Sequence, residues 1–384
     1  MIDKSSFRLF IVFHLFLIFI SIPLVAQNSK FSISNARNSA IGGPHAALTD
    51  QFSTIFNNAA GYRDVKSDFT VSEMTFKITG PVSTMVLAAQ GGDIQEMLGQ
   101  LGSTSIGLEL IGPISIGRIN NNFAWGVYSI IDTDVFIPSL TQDAEVKGRF
   151  DLGGVFGYSF GIDLIGTESK LDFGFLTKLF FRSETVVTKS FTDIMAAISD
   201  ISILLSPDAI PLSFGFGIGL DLGMKYVWKD TLSVGLAVRD IYTPLFMFNY
   251  DSLTTLIGGG SPLFVYSTLS PDYSLGIMYT PGVTLLNGLL GNIRIMLDYN
   301  DIFDFALNPE TRRHILLHFG LGVEFTVFDI LAIRMGLYEG LPTAGLGLDL
   351  HIFKFNFAMF GSELSTQPGL MSVYNLMASI EFSY

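Results

Sequence analysis

Tyr374, Leu376, Ala378, Ile380, Phe382 and Tyr384 alternate without a break with Asn375, Met377, Ser379, Glu381 and Ser383. Successive side chains of a strand point to opposite faces, so this stretch has one apolar face and one small or polar face. The same repeat recurs upstream. Phe214, Phe216, Ile218, Leu220, Leu222, Met224, Tyr226 and Trp228 alternate with Ser213, Gly215, Gly217, Gly219, Asp221, Gly223, Lys225 and Val227. From His314 to Val327, Ile315, Leu317, Phe319, Leu321, Val323, Phe325 and Val327 form the apolar series. Shorter versions run over 232–238, 275–279, 293–299, 331–337 and 346–352. A helix would show a period near 3.6, and these runs keep a period of 2. The last strand stops at an aromatic residue, Tyr384, as the closing strand of a transmembrane barrel does. The pattern predicts an all-β, antiparallel transmembrane barrel with its apolar face toward lipid.

The composition narrows the alternatives. Of 384 residues 49% are hydrophobic and 15% charged, where a soluble domain of this size carries about 25% charge. The net charge of −13 argues against nucleic acid as a partner, because phosphates need a basic surface. With no cysteine, the chain has no disulfide framework, thiolate metal site or cysteine nucleophile.

Lys4 and Arg8 precede an apolar run from Leu9 to Val25 that is broken by His14, Ser21 and Pro23, and Ala26 then leads into Gln27-Asn28-Ser29-Lys30. This is read as a secretory signal peptide over 1–26, with cleavage near Ala26. Beyond it no apolar run approaches the roughly 20 residues a spanning helix needs, although the chain stays apolar throughout. The expected organisation is a signal peptide at 1–26, an N-terminal segment at 27–66 and a barrel at 67–384. That places the protein in a bacterial outer membrane, with the C-terminal strand offered to the barrel-assembly machinery.

Long connections are expected at 79–104, 133–148, 183–210, 240–270 and 301–312. Tight turns are expected at Asn120-Asn121-Asn122, Lys229-Asp230, Phe328-Asp329 and around His351–Phe353. Barrels place short turns at the periplasmic rim and long loops outside, and the strands from Phe69 onward number about fourteen. Ser105 to Ile119 contains Gly112-Pro113, and proline fits poorly inside a closed sheet, so one strand with a bulge or kink is expected there. Helices are expected at Asp93–Leu101 and at Phe191–Leu205, whose apolar residues recur at helical spacing.

Residues 31–65 do not alternate. They contain the steps Ala40-Ile41-Gly42-Gly43, Ala47-Leu48-Thr49-Asp50 and Asn57-Asn58-Ala59-Ala60-Gly61, with Asn35, Arg37, Phe52 and Phe56 between or beside them. In these steps the chain resembles the FadL-type transporters of hydrophobic compounds and the related PorV-type barrels. Their N-terminal segment carries an Ala/Met-Gly-Gly step, an Ala-x-x-Asp step and an Asn-Pro-Ala-Gly-like step. Here Asn58 or Ala59 stands where the proline would be. The resemblance implies a fourteen-stranded barrel, an N-terminal hatch inside the lumen that uses Asn35, Arg37, Gly42, Gly43, Asp50, Phe52, Phe56, Asn57, Asn58 and Gly61, and a kinked strand that opens the wall sideways. Its PorV-like side implies instead a non-transporting scaffold for protein export or surface assembly.

Strand parity places Asp221, Lys225, Arg239, Arg294, Asp298, His314, His318, Glu324, Arg334, Asp349 and Glu381 toward the lumen, among many Gly, Ala, Ser and Thr. Pores for hydrophilic solutes line a constriction with dense opposed charge, and charge is sparse here. Abundant glycine leaves room for an inner segment to approach the wall. The sparse charges are expected to pair with one another or with Arg37, Asp50 and Arg63. Gly157-Tyr158-Ser159-Phe160-Gly161 matches a nucleophile pattern but lies inside an alternating segment, without the strand–turn–helix setting that hydrolases need. His314 and His318 on one strand would sit about 13 Å apart, too far for one metal ion. No catalytic residue, metal or cofactor is expected. The sequence reads as a passive outer-membrane transporter of long-chain fatty acids or other hydrophobic small molecules.

Overall fold

The computed structural model describes residues 30–65, 67–81, 104–138, 142–164, 168–190, 193, 210–282 and 289–384. The expected signal peptide, the helix at 93–101, nearly all of the helix at 191–205 and most of the connection at 281–290 lie outside the described residues.

Sixteen strand segments form one antiparallel sheet. They are β1 (Asp68–Gly80), β2 (Thr104–Asn120), β3 (Phe123–Ile137), β4 (Ala144–Leu164), β5 (Ser169–Lys189), β6 (Leu212–Trp228), β7 (Leu232–Tyr242) and β8 (Pro244–Tyr250), followed by β9 (Leu263–Thr268), β10 (Asp272–Tyr279), β11 (Leu290–Tyr299), β12 (Phe319–Val327), β13 (Leu331–Tyr338), β14 (Leu341–Asp349), β15 (Phe353–Glu363) and β16 (Ser372–Ser383). β16 pairs back onto β1, from Thr70↔Ser383 to Gly80↔Tyr374, which closes the ring. β7 and β8 are two lengths of one stave interrupted at Thr243, and both pair with β6. β9 and β10 are likewise consecutive lengths of the next stave, pairing with β8 and β7 respectively. The result is a closed barrel of fourteen staves, as the alternation predicts.

The pleat explains the closure. Along β6, Phe216, Ile218, Leu222, Met224 and Trp228 are exposed, while Gly215, Gly217, Gly219, Asp221 and Lys225 are buried. β16 alternates in the same way, with Tyr374, Ile380 and Phe382 outside and Asn375, Ser379 and Glu381 inside. A continuous apolar outer face is stable only against acyl chains, and a closed ring leaves no backbone edge unsatisfied there. No described helix is long and apolar enough to cross a membrane.

The expected tight turns occur where the sequence places them. Asn121–Asn122, Lys229–Asp230 and Phe328–Asp329 all have positive φ, from 39° to 92°. Such turns match the right-handed strand twist and favour Asn and Asp; Phe328 occupies this region without that advantage. β2 is a single strand, also as expected. Its pairing with β3 jumps from Ile111↔Ile130 to Ser115↔Tyr128, and Gly112 has φ 80° at the jump.

Three expectations are corrected. Much of the ground assigned to connections at 133–148, 183–210 and 240–270 is strand, because β3, β4, β5, β8 and β9 continue their pairing well beyond the stretch that parity alone delimits. The short strand placed at 346–352 is β14, which starts at Leu341 and stops at Asp349, before the turn. The alternation from Ile315 does not mark a strand start either. Ile315–His318 is a 3-10 turn, capped where the His314 ring accepts a hydrogen bond from the Leu316 amide, and β12 begins at Phe319.

Candidate functional site: the barrel interior

Residues 30–65 lie inside the ring and are almost wholly buried. The path starts near the long-loop rim, where Lys30 Nζ is 3.4 Å from Asp272, and ends at the short-turn rim, where the Asn121 amide donates to the Val65 carbonyl. Three short elements shape it: α1 (Ala36–Ala40) and 3-10 turns at Phe52–Thr54 and Ala59–Asp64. Asn35 caps α1 by accepting from the Asn38 amide at 2.7 Å, and Asn58 caps the last turn by accepting from the Ala60 amide at 2.9 Å. Asn is a preferred residue at such positions because its side chain satisfies an orphan amide.

Wall glycines permit the close fit. A Cβ on Gly322 would stand 1.9 Å from the Ile41 carbonyl oxygen, one on Gly235 2.1 Å from that of Ala46, and one on Gly174 2.1 Å from that of Ala59. Gly42 and Gly43 carry φ of 90° and 98°, a turn that places the segment against β12 and β13; a Cβ on Gly42 would meet the Leu321 carbonyl at 2.3 Å. Gly61 is fixed by Thr49, whose Oγ1 would be 1.7 Å from an added Cβ.

Polar contacts hold the segment on both sides. Asn58 Nδ2 donates to the Ala46 carbonyl at 2.8 Å and to the wall carbonyl of Met224 at 3.1 Å. Asn57 donates to Leu48 and accepts from Asn38, while Arg239 Nη1 donates to the Asn57 carbonyl at 3.3 Å. Arg37 is the hub of an ion lattice near the short-turn rim. Its guanidinium donates to Asp50 at 2.7 and 3.0 Å and to Glu324 at 2.8 and 2.6 Å. Arg294 bridges the same Asp50 and Glu324 at 2.6 and 3.0 Å, and Arg334 reaches Glu324 at 2.6 Å. A cavity of about 240 Å³ opens beside this lattice, lined also by Asp349, Lys354 and Asn356. Elsewhere Asp298 holds the ring of His45 and the Ala46 amide, Lys225 reaches Asp64 at 2.9 Å, and Arg63 reaches Asp172 at 2.8 Å. Asp221 takes Lys178 at 2.7 Å and the Asp240 amide, while Glu381 takes Lys354 at 2.9 Å.

The rest of the interior is divided between an apolar core and a cavity of about 890 Å³ lined by Lys77, Asp132, Glu145, Arg149 and Glu184. Phe31, Phe52, Ile55, Phe56, Tyr62 and Val65 from the segment merge with Ile111, Tyr128, Leu176, Phe180 and Leu245 from the wall into one buried cluster. Phe31 stacks on Phe180 at 4.7 Å and Phe52 on Tyr128 at 5.5 Å. The segment and the wall thus share a packed apolar core, crossed by ion pairs.

Most of the residues singled out from sequence converge on this interior. His314 does not: it sits in the loop between β11 and β12, lining with His318, Asp301, Asp304, Arg312 and Arg313 a separate cavity of about 390 Å³ at the long-loop rim. His318 lies 3.4 Å from Asp304. In this loop the Asp301 carboxyl is pushed up to about 6 by burial and by the neighbouring Asp272, with Lys30 opposing. Sequence reading missed His45, Lys178, Asp172 and Glu73. β5 hides Asp172 and Lys178 because Leu176 and Phe180 face inward beside them, so apolar residues on both faces mask the period of 2. Ser159 lies within β4, buried, with no hydrogen-bond partner for its hydroxyl among the described residues.

The described residues form a fourteen-stave antiparallel barrel whose interior holds its own N-terminal segment. No protein-family model and no curated protein sequence matches the chain. Among solved structures, it is similar to the Pseudomonas putida toluene transporter TodX, with 13% identity over 93% of this chain and 99% of that one and a TM-score of 0.52. A Pseudomonas aeruginosa FadL homologue aligns over 91% of this chain and 98% of that one, at 14% identity and a TM-score of 0.41. At this identity the likeness to TodX is one of fold.

Proposed function

We propose that the protein is a passive outer-membrane transporter of hydrophobic small molecules, long-chain fatty acids or smaller apolar compounds, gated by the N-terminal segment. The apolar cluster between that segment and β2 to β8 carries the reading: where the segment meets the wall, an apolar cargo can replace hydrocarbon contacts with its own. The fold shared with a toluene transporter supports it. Interior arginines Arg37, Arg182, Arg239 and Arg334 already face carboxylates, so a fatty-acid carboxylate would bind them only by displacing one of these pairs. The wall offers a sideways exit where β1, β2 and β3 lose their pairing around Gly112. We read β16 as the strand presented to the barrel-assembly machinery and the protein as non-enzymatic, since the Ser159 hydroxyl is buried within β4 with no hydrogen-bond partner among the described residues.

The test is uptake of a fluorescent fatty acid and of radiolabelled toluene by cells producing the intact protein or a variant lacking residues 31–62. Protein-dependent uptake that the deletion alters supports transport. Uptake equal to that of cells without the protein, together with a co-purifying exported protein, would favour the scaffold reading. Ser159→Ala is expected to leave uptake unchanged.

A further inference from the structure

The interruption of the wall contains a buried carboxyl group, Glu73. Between Thr70↔Gly117 and Thr75↔Ile111, β1 and β2 have no paired residues. Glu73 lies in that window on β1 and Ser115 flanks it on β2, opposite Tyr128 of β3. Glu73 is 2% exposed and has neither an ion-pair nor a hydrogen-bond partner among the described residues. Its cross-strand neighbour Glu381 is taken by Lys354. On the same stretch of β1, β2 and β3, four hydroxyls are buried without a partner among the described residues: Thr70 Oγ1, Thr75 Oγ1, Ser115 Oγ and the Tyr128 phenol. The Tyr128 ring lies 5.5 Å from both Phe52 and Phe56.

Elsewhere the interior pairs its charges with care, so this cluster stands apart. Buried polar groups are normally satisfied, and an unmade hydrogen bond costs more than a made one contributes. The Glu73 carboxyl has an acceptor oxygen whether or not it carries a proton, and the hydroxyls can both donate and accept. The set therefore completes itself around a guest that brings a donor. Phe52, Phe56 and Tyr128 supply an aromatic wall for the rest of that guest.

We propose that this cluster is a selectivity subsite that recognises neutral hydrophobic molecules bearing a hydroxyl group, such as phenols, in preference to the bare hydrocarbons of the same shape. The proposal rests on the transport reading and adds to it which cargo the portal selects. The guest's hydroxyl donates to Glu73 and accepts from Thr75 or Tyr128 while its ring packs on Phe52 and Phe56. A site built to hydrogen-bond a hydroxyl rejects the analogue lacking it far more strongly than an apolar pocket rejects an added methylene.

4-Methylphenol and toluene differ only by that hydroxyl and are the probes. Their binding to the full chain in lipid nanodiscs is measured calorimetrically, with binding to empty discs subtracted, and their uptake is measured in cells. The expected result is a preference for 4-methylphenol of about ten- to a hundredfold. That preference falls toward unity in Glu73→Met, which removes both acceptor oxygens, and drops several-fold in Thr75→Val and Tyr128→Phe, which remove a hydroxyl with little change of shape. Barrel integrity of each variant is checked by heat-dependent gel mobility. A wild-type ratio near unity, or a ratio that all three variants leave unchanged, would overturn the proposal and assign the cluster to water. A preserved binding preference without protein-dependent uptake would keep the subsite and refute transport.

Discussion

Glu324→Gln should release the N-terminal segment from the wall without unfolding the barrel. Glu324 accepts four hydrogen bonds from three guanidiniums: two from Arg37 and one each from Arg294 and Arg334. The lattice holds three cations against two carboxylates, Asp50 and Glu324; the substitution leaves three against one. Removing one partner from a buried pair costs about 3–5 kcal/mol, because the stranded charge stays desolvated. Arg294 and Asp50 are partly exposed beside the 240 Å³ cavity, so the lower end of that range applies. At about 1.4 kcal/mol per decade, the detached population rises roughly a hundredfold. Arg37→Met removes as many hydrogen bonds but leaves two cations against two carboxylates, and should cost less. Hydrogen exchange at the amides of Ser39, Ile41 and Gly43, which close the turns of this region, reads the effect. Gel mobility confirms that the barrel stays closed. Unchanged protection in Glu324→Gln, or faster exchange in Arg37→Met than in Glu324→Gln, would refute the reasoning.

Gly322→Ala puts a methyl 1.9 Å from the Ile41 carbonyl and should expose the segment to protease, whereas Gly154→Ala, whose nearest atom is 3.7 Å away, should not. Leu222→Arg places a cation midway along the outer face of β6 and should destabilise the barrel by about 2–4 kcal/mol in denaturant titrations with lipid vesicles. Asp301, raised to about 6, favours its protonated form in the folded loop. Its contribution is therefore complete below about pH 4 and is lost as pH rises through about 6. Exchange at the Ile302 amide, which donates to the Tyr273 carbonyl, should accelerate over that window in the wild type and show no such step in Asp301→Asn.

Alternation made the barrel legible because lipid and lumen demand opposite chemistry from neighbouring residues. Fourteen staves, the Gly112 kink and the turns at Asn121, Asp230 and Asp329 all follow from period and turn chemistry. Strand lengths did not, since β4 and β5 continue for 21 residues each, well past the roughly 9–11 a bilayer requires. The 3-10 turn at Ile315–His318 was illegible because a short apolar run has the same parity on a strand as on a tight turn. Lattice members Arg37, Asp50, Arg294, Glu324 and Arg334 were each visible, but their meeting depends on how a non-repeating segment winds through the lumen. His45 and Glu73 gave no signal, because a single polar residue on an inward face is ordinary until its neighbours are known.

Steady ionic current through single molecules in a planar bilayer tests the filled lumen most directly. The full chain should hold the membrane at its background conductance at neutral pH and moderate salt, while removal of residues 31–62 should open a persistent ohmic channel. A lasting open-channel current from the intact protein would contradict the account.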